Sequence, residues 1–274
     1  MFADTIDYLA NLAASRVALL RRNPAGFFIG SMMAGAYVGF GIILIFVVGS
    51  AADPAYQKLI MGASFGVALT LVVFAGSELF TGHTMYMPLG WLRRTTSGLN
   101  LIVVWLVVWI GNLVGSAGLA ALFVVGGAAG MVSDSSSFLN QVVSAKMNAP
   151  AIELLARAIL CNWLVCLALW MSARTQNEVA KAIVIFWALF AFIASGFEHS
   201  VANMTLFSIA LLGNHPETVS LFGMGYNLLW VTLGNLLSGG LFMAFGYWLY
   251  SGEKSSPNEE DTDTIEETQK PGKF

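Results

Sequence analysis

The string Gly-Phe-Glu-His-Ser-Val-Ala-Asn-Met at 196–204 sets an acid, Glu198, and an imidazole, His199, side by side within an otherwise apolar run. A second polar island, Gly-Ser-Glu-Leu-Phe-Thr-Gly-His-Thr-Met at 76–85, begins with the same Gly-x-Glu, and Glu78 precedes Glu198 by 120 residues. Imidazole exchanges a proton near neutral pH without strong perturbation. Ionisable groups inside a membrane are costly and mark a conduction path or a relay. His199 is therefore the residue for which chemistry is expected. Glu78 and Glu198 read instead as structural. Each sits among Gly, Ser, Thr or Asn where a spanning helix would be interrupted. There a carboxylate can accept bonds from N–H groups bared at the start of a half-helix, where the helix dipole also favours negative charge. His83 reads as a histidine satisfied by its neighbours near the membrane face, and His215, in Asn-His-Pro-Glu, as a loop residue. No catalytic nucleophile, phosphate loop or metal-ligand cluster is visible, so an enzyme is not expected, and neither is a cofactor or metal.

The elements that must hold these residues are set by composition. The chain is 57% hydrophobic and 11% charged, with a mean hydropathy of +0.72, which excludes an ordinary soluble domain. Six apolar runs, near 27–51, 59–87, 99–129, 154–173, 182–210 and 221–250, reach the roughly 20 residues a helix needs to cross a bilayer. They lack the short alternating segments of a membrane barrel. An all-α integral membrane protein of six spans follows. Glu78 and Glu198 are the only acids in spans 2, 3, 5 and 6, and all seven prolines are expected in loops or tails. The acidic beginning, Met-Phe-Ala-Asp-Thr-Ile-Asp, is not that of a cleavable signal peptide. Ten of the thirteen Lys and Arg residues fall on the side of the two termini; Lys58, Lys146 and Arg157 fall on the other. That bias predicts cytoplasmic termini.

Residues 1–25 form an N-terminal segment in which Ile6, Leu9, Ala13, Val17 and Leu20 recur at helical spacing, as in an amphipathic helix on the cytoplasmic face, either a surface anchor or a gate. Residues 26–251 form the six-span unit, and 252–274 an acidic tail, rich in Ser and Thr, that is expected to be disordered. Cys161 and Cys166 lie five residues apart, on different faces of one span, and read as packing residues. Gly35, Gly39, Gly111 and Gly115 fit the small-xxx-small spacing of close helix contacts.

Trp-Ile-Gly-Asn-Leu at 109–113 and Thr-Leu-Gly-Asn-Leu at 232–236 repeat at an offset of 123, close to that of the Gly-x-Glu islands. The chain thus divides into halves of three spans, about 26–130 and 150–251. Three being odd, the second half is inverted in the membrane, a plan that places a substrate path near the midplane and often uses interrupted helices.

Gly-x-Glu-Leu-Phe-Thr at 76–81, Ala-Ser-Gly-Phe-Glu-His-Ser-Val-Ala-Asn-Met at 194–204 and the paired Gly-Asn-Leu motifs resemble the formate/nitrite transporter family of bacterial inner-membrane anion channels. The resemblance extends over roughly residues 1–250. Met-Ala-Gly-Ala-Tyr-Val-Gly-Phe-Gly and Val-Ala-Asn-Met-Thr-Leu-Phe resemble its nitrite branch. The resemblance implies an aquaporin-like protomer with broken helices 2 and 5, assembled as a homopentamer with a pore through each subunit. By position it implies that His199 is the central pore histidine and Thr81 the threonine beside it. Phe65, Leu69 and Phe192 become apolar residues that narrow the pore. Lys146 and Asn235 lend anion-favouring character, and Glu198 is structural.

The partners so implied are small monovalent anions, nitrite before formate or hydrosulfide, together with protons and the lipid bilayer. The resemblance implies bidirectional passage, linked to protons under some conditions, and no nucleic acid is involved. A water or polyol channel would share the six-span plan, but the paired Asn-Pro-Ala motifs are missing. A haem-carrying anchor would have only His83 and His199 as axial ligands, with no charged partners beside them for the propionates.

Overall fold

Lipid offers no hydrogen bonds to a bare backbone, so the apolar runs satisfy theirs internally as helices. The computed structural model describes residues 2–252, and the expected tail beyond Gly252 lies outside the described residues. In chain order the helices are α1 (Ala3–Arg22), α2 (Pro24–Ser50), α3 (Gln57–Ala75), α4 (Phe80–Leu92), α5 (Gly98–Val125), α6 (Phe138–Met147), α7 (Ala151–Ala173), α8 (Glu178–Ala194), α9 (Ser200–Leu212) and α10 (Leu221–Leu237). The last continues through a wider π-helical stretch, Ser238–Phe245, into Gly246–Ser251. Polar caps fix where the spans begin. Asn23, Ser97, Asn177 and Ser220 each accept a bond from a backbone N–H of the first turn that follows, and Pro24 opens α2.

Helices α2, α3, α5, α7 and the continuous α10 are each long and apolar enough to cross a membrane. The chain is a multi-pass membrane protein. The second span is α3, a break and α4; the fifth is α8, a break and α9. The first half (α2, α3–α4, α5) recurs as α7, α8–α9, α10 in the opposite sense. α2 and α5 meet backbone to backbone: a Cβ on Gly35 would strike the Asn112 main chain, and one on Gly115 the Met32 main chain. The small-residue spacing is therefore a close helix contact.

Three features differ from expectation. Pro88 lies inside α4 rather than in a loop, where it removes one helical hydrogen bond. The stretch between the two halves, for which no element is expected, carries one: α6 occupies Phe138–Met147 with Lys146 in its last turn. And α1 docks on protein: Ile6, Leu9, Ala10 and Ala13 are buried, Thr95 Oγ1 donates to the Ala10 carbonyl, and Asp7 pairs with Arg93 at 2.9 Å.

Candidate functional site

Both breaks are made the same way. α3 ends at Gly76 (φ 72°), and the turn after α8 passes through Gly196 (φ 73°), left-handed conformations that glycine adopts without a Cβ penalty. The chain then runs extended, through Leu79 in one half and His199 in the other, before a half-helix begins at Phe80 or Ser200. The N-termini of the two half-helices point inward and meet, and each presents the positive end of its dipole.

The bared amides are not capped by the glutamates as the sequence led us to expect. Asn112 Oδ1 accepts from the Phe80 N–H (2.9 Å), and its Nδ2 donates to the Glu78 and Ser31 carbonyls (2.9 and 2.7 Å). Asn235 repeats this: Oδ1 accepts from the Ser200 N–H (3.0 Å), and Nδ2 donates to the Ala158 and Glu198 carbonyls (2.9 and 3.3 Å). An amide suits this place better than a carboxylate because it has both an acceptor and two donors. These are the asparagines of the repeated Gly-Asn-Leu motif. Asn235 is thus wholly committed to holding the break, and Asn112, its counterpart, was missed because only the repeat, and no role, was read from it.

The glutamate side chains turn outward to cations. Glu78 receives His83 Nε2 at 2.9 Å and Arg16 Nη1 at 3.1 Å. Glu198 receives Asn203 Nδ2 at 2.7 Å and Lys146 Nζ at 2.8 Å. His83 and Asn203 each stand five residues past their glutamate, and Arg16 and Lys146 come from the short flanking helices α1 and α6. Each half thus braces its break from outside with one cation.

The symmetry fails at the centre, where Leu79 and His199 occupy equivalent places 120 residues apart. His199 Nε2 lies 3.0 Å from Thr81 Oγ1, which joins the two half-helices. Its Nδ1 accepts from the Ala202 N–H at 3.1 Å and so serves as the N-cap of α9. An N–H can only donate, so Nδ1 carries no proton and the neutral ring holds its single proton on Nε2. That proton points at Thr81 Oγ1, and the threonine's own hydroxyl hydrogen is left to turn elsewhere. Phe192 stacks on the imidazole with ring centroids 5.9 Å apart, and Phe65 meets Phe192 edge-on at 5.4 Å.

Three cavities lie along this line. One of about 200 Å³, on the α1 side, is bounded by Arg16, Ser77, Glu78, Leu69 and Lys181. One of about 190 Å³, on the α6 side, is bounded by Lys58, Lys146, Phe192 and His199. Between them is a waist of about 10 Å³ lined by Phe65, Leu69, Leu79, Phe192 and His199. The structure therefore brings His199, Thr81, Phe65, Leu69 and Phe192 together, with Lys146 on the wall of one cavity and Asn235 behind the wall.

An inverted repeat whose two broken spans meet between opposed cavities defines a membrane transport protein. The chain belongs to the formate/nitrite transporter family, whose profile matches residues 4–249. It is 52% identical to the nitrite transporter NirC of Escherichia coli over 94% of this chain and 95% of that protein. Among solved structures it resembles an FNT family ion channel (TM-score 0.89, 52% identity, 91% of this chain and 99% of the other). It also resembles a pentameric formate channel with formate bound (TM-score 0.70, 28% identity, 83% and 97%).

Proposed function

We propose that this chain passes small monovalent anions, nitrite foremost, through each subunit of a homopentamer in a bacterial inner membrane, in both directions and with both termini cytoplasmic. The observation that carries the reading is the His199–Thr81 bond of 3.0 Å, where two half-helix N-termini converge between cavities. The nitrite relative supports the choice of anion, the pentameric neighbour supports the assembly, and the excess of Lys and Arg on the terminal side supports the orientation.

The mechanism follows from the cost of a bare charge. At the apolar ring of Phe65, Leu69 and Phe192 an unpaired anion would lose its water, at a cost of several kcal/mol or more. The free hydroxyl hydrogen of Thr81, polarised by the His199 Nε2–H that Thr81 Oγ1 accepts, and the converging half-helix dipoles replace part of that hydration without adding a net charge. Full proton transfer from a neutral ring would leave an imidazolate. Proton-linked passage therefore requires a second proton on Nδ1, which displaces the Ala202 N–H and uncaps α9. Asn235, with Asn112, acts as a positioning residue that sets where the half-helices end.

Proteoliposomes loaded with the protein test this by parallel nitrite and formate flux at external pH 5–8. Nitrite flux exceeding formate flux is the expected result, and His199→Phe should lower nitrite flux and flatten its pH dependence. An unchanged rate and pH profile in that variant would sink the mechanism. The solved formate-bound channel supports a second reading, formate as principal substrate, which the same assay decides.

A further inference from the structure

The family resemblance implies anion-favouring character for Lys146, yet that charge is balanced by Glu198 at 2.8 Å, as Arg16 is by Glu78 at 3.1 Å on the other side. Two further cations line the cavities. Lys58, the second residue of α3, is exposed and borders the α6-side cavity. Lys181, in the first turn of α8, is half-buried and borders the α1-side cavity. Neither belongs to any ion pair among the described residues. Each stands where the long part of a broken span begins, so the inverted repeat supplies one to each mouth. With the inner pairs neutral, each cavity is left with a single uncompensated positive charge, and it is the lysine.

We infer that Lys58 and Lys181 are the anion-gathering residues of the two mouths, Lys58 for anions arriving on the α6 side and Lys181 for those arriving on the α1 side. The inference rests on the anion-channel reading above. An ammonium on a flexible four-carbon stem is a mobile point charge that attracts without making the bidentate grip of arginine. Such a group raises the local anion concentration and the capture rate, and yet it lets the ion go on to the waist. At these mouths Lys58 is exposed and Lys181 partly so, and each acts through a field that salt screens within about 10 Å at 0.1 M. Lys146 and Arg16, held against carboxylates, shape the walls.

The test is nitrite uptake into vesicles sorted by orientation, at low and high ionic strength and fixed pH, for the wild type, Lys58→Gln, Lys58→Arg and Lys181→Gln. At about 10 mM salt, Lys58→Gln should raise the half-saturating nitrite concentration roughly threefold for uptake from the α6 side, as one charge about 6 Å away in water-like surroundings would. The saturated rate should move much less. Lys58→Arg should restore the wild-type value, and the difference should shrink to about 1.3-fold near 0.5 M salt, where the screening length is about 4 Å. Lys181→Gln should do the same for the opposite direction only. Unchanged half-saturation at low salt, or a shift that stays near threefold at high salt, overturns the inference while wild-type flux leaves the channel reading standing. Absence of nitrite flux in the wild type overturns both.

Discussion

Replacing Asn112 by leucine, which is similar in shape but has no polar atoms, should destabilise the protein and silence transport. Three bonds disappear at once: the one from Phe80 N–H and those to the Glu78 and Ser31 carbonyls. Hydrogen bonds inside membranes are worth about 0.6 kcal/mol each on average when the unfolded chain can find other partners, which sets a floor near 2 kcal/mol. Leaving a buried donor or acceptor without a partner costs about 1–3 kcal/mol. Phe80 N–H is a first-turn amide with no acceptor inside its helix, and Glu78 C=O lies in the non-helical break, so the total should approach ~5 kcal/mol. With ~1 kcal/mol worth roughly 2–4 °C in a chain of this size, the unfolding midpoint in detergent should fall by about 10–20 °C. The half-helix bearing Thr81 would also lose its fixed start, and nitrite flux per folded protein should drop by at least about tenfold, since small misplacements are magnified at a positioned site. Asn235→Leu should behave alike, with a slightly smaller loss because its bond to Glu198 is longer, at 3.3 Å. A shift below about 2 °C for Asn112→Leu, with flux retained, would refute the assignment of Asn112 as the clamp of the first break.

Thr81→Val keeps the volume and removes the hydroxyl, so flux should fall about tenfold or more while the midpoint moves by only the ~1 kcal/mol of one bond; Thr81→Ser, which retains the hydroxyl, should recover most of the rate in the same liposome assay. Gly35→Ala adds a Cβ where the Asn112 main chain stands, an overpacking that should cost about 1–3 kcal/mol or more and be read as a lowered midpoint or failure to recover assembled protein.

Much of the architecture was legible because periodicity and length survive in one dimension. The apolar runs marked the spans, and the two Gly-x-Glu islands marked both breaks, since a glycine, a carboxylate and hydroxyl residues have no other reason to interrupt lipid-soluble helix. The caps were not legible. Phe80 and Asn112 are 32 residues apart, as Ser200 and Asn235 are 35 apart, and only the packing of α5 and α10 against the breaks brings each amide within reach. Glu78 and Glu198 looked like caps because they are near in sequence, but their side chains face the cations of α1 and α6. Pro88 misled for a related reason: tertiary contacts hold α4 together past a residue that alone would argue for its end. The waist residues Phe65, Leu69 and Phe192 carry no signal of their own, and the family resemblance named them.

The N-cap made by His199 bears on the cell's energy supply. A membrane that stores a proton gradient cannot tolerate a proton-conducting thread of water, and a waist of about 10 Å³ has space for one molecule at most. Imidazole itself relays protons only when one nitrogen can load as the other unloads. Here Nδ1 is occupied by the Ala202 N–H, so the ring at the midpoint has a single working end. On the proposed anion path, the bond that starts α9 would therefore insulate as well: while it holds, an anion could be stabilised at the centre without a leak that would discharge a proton-motive force.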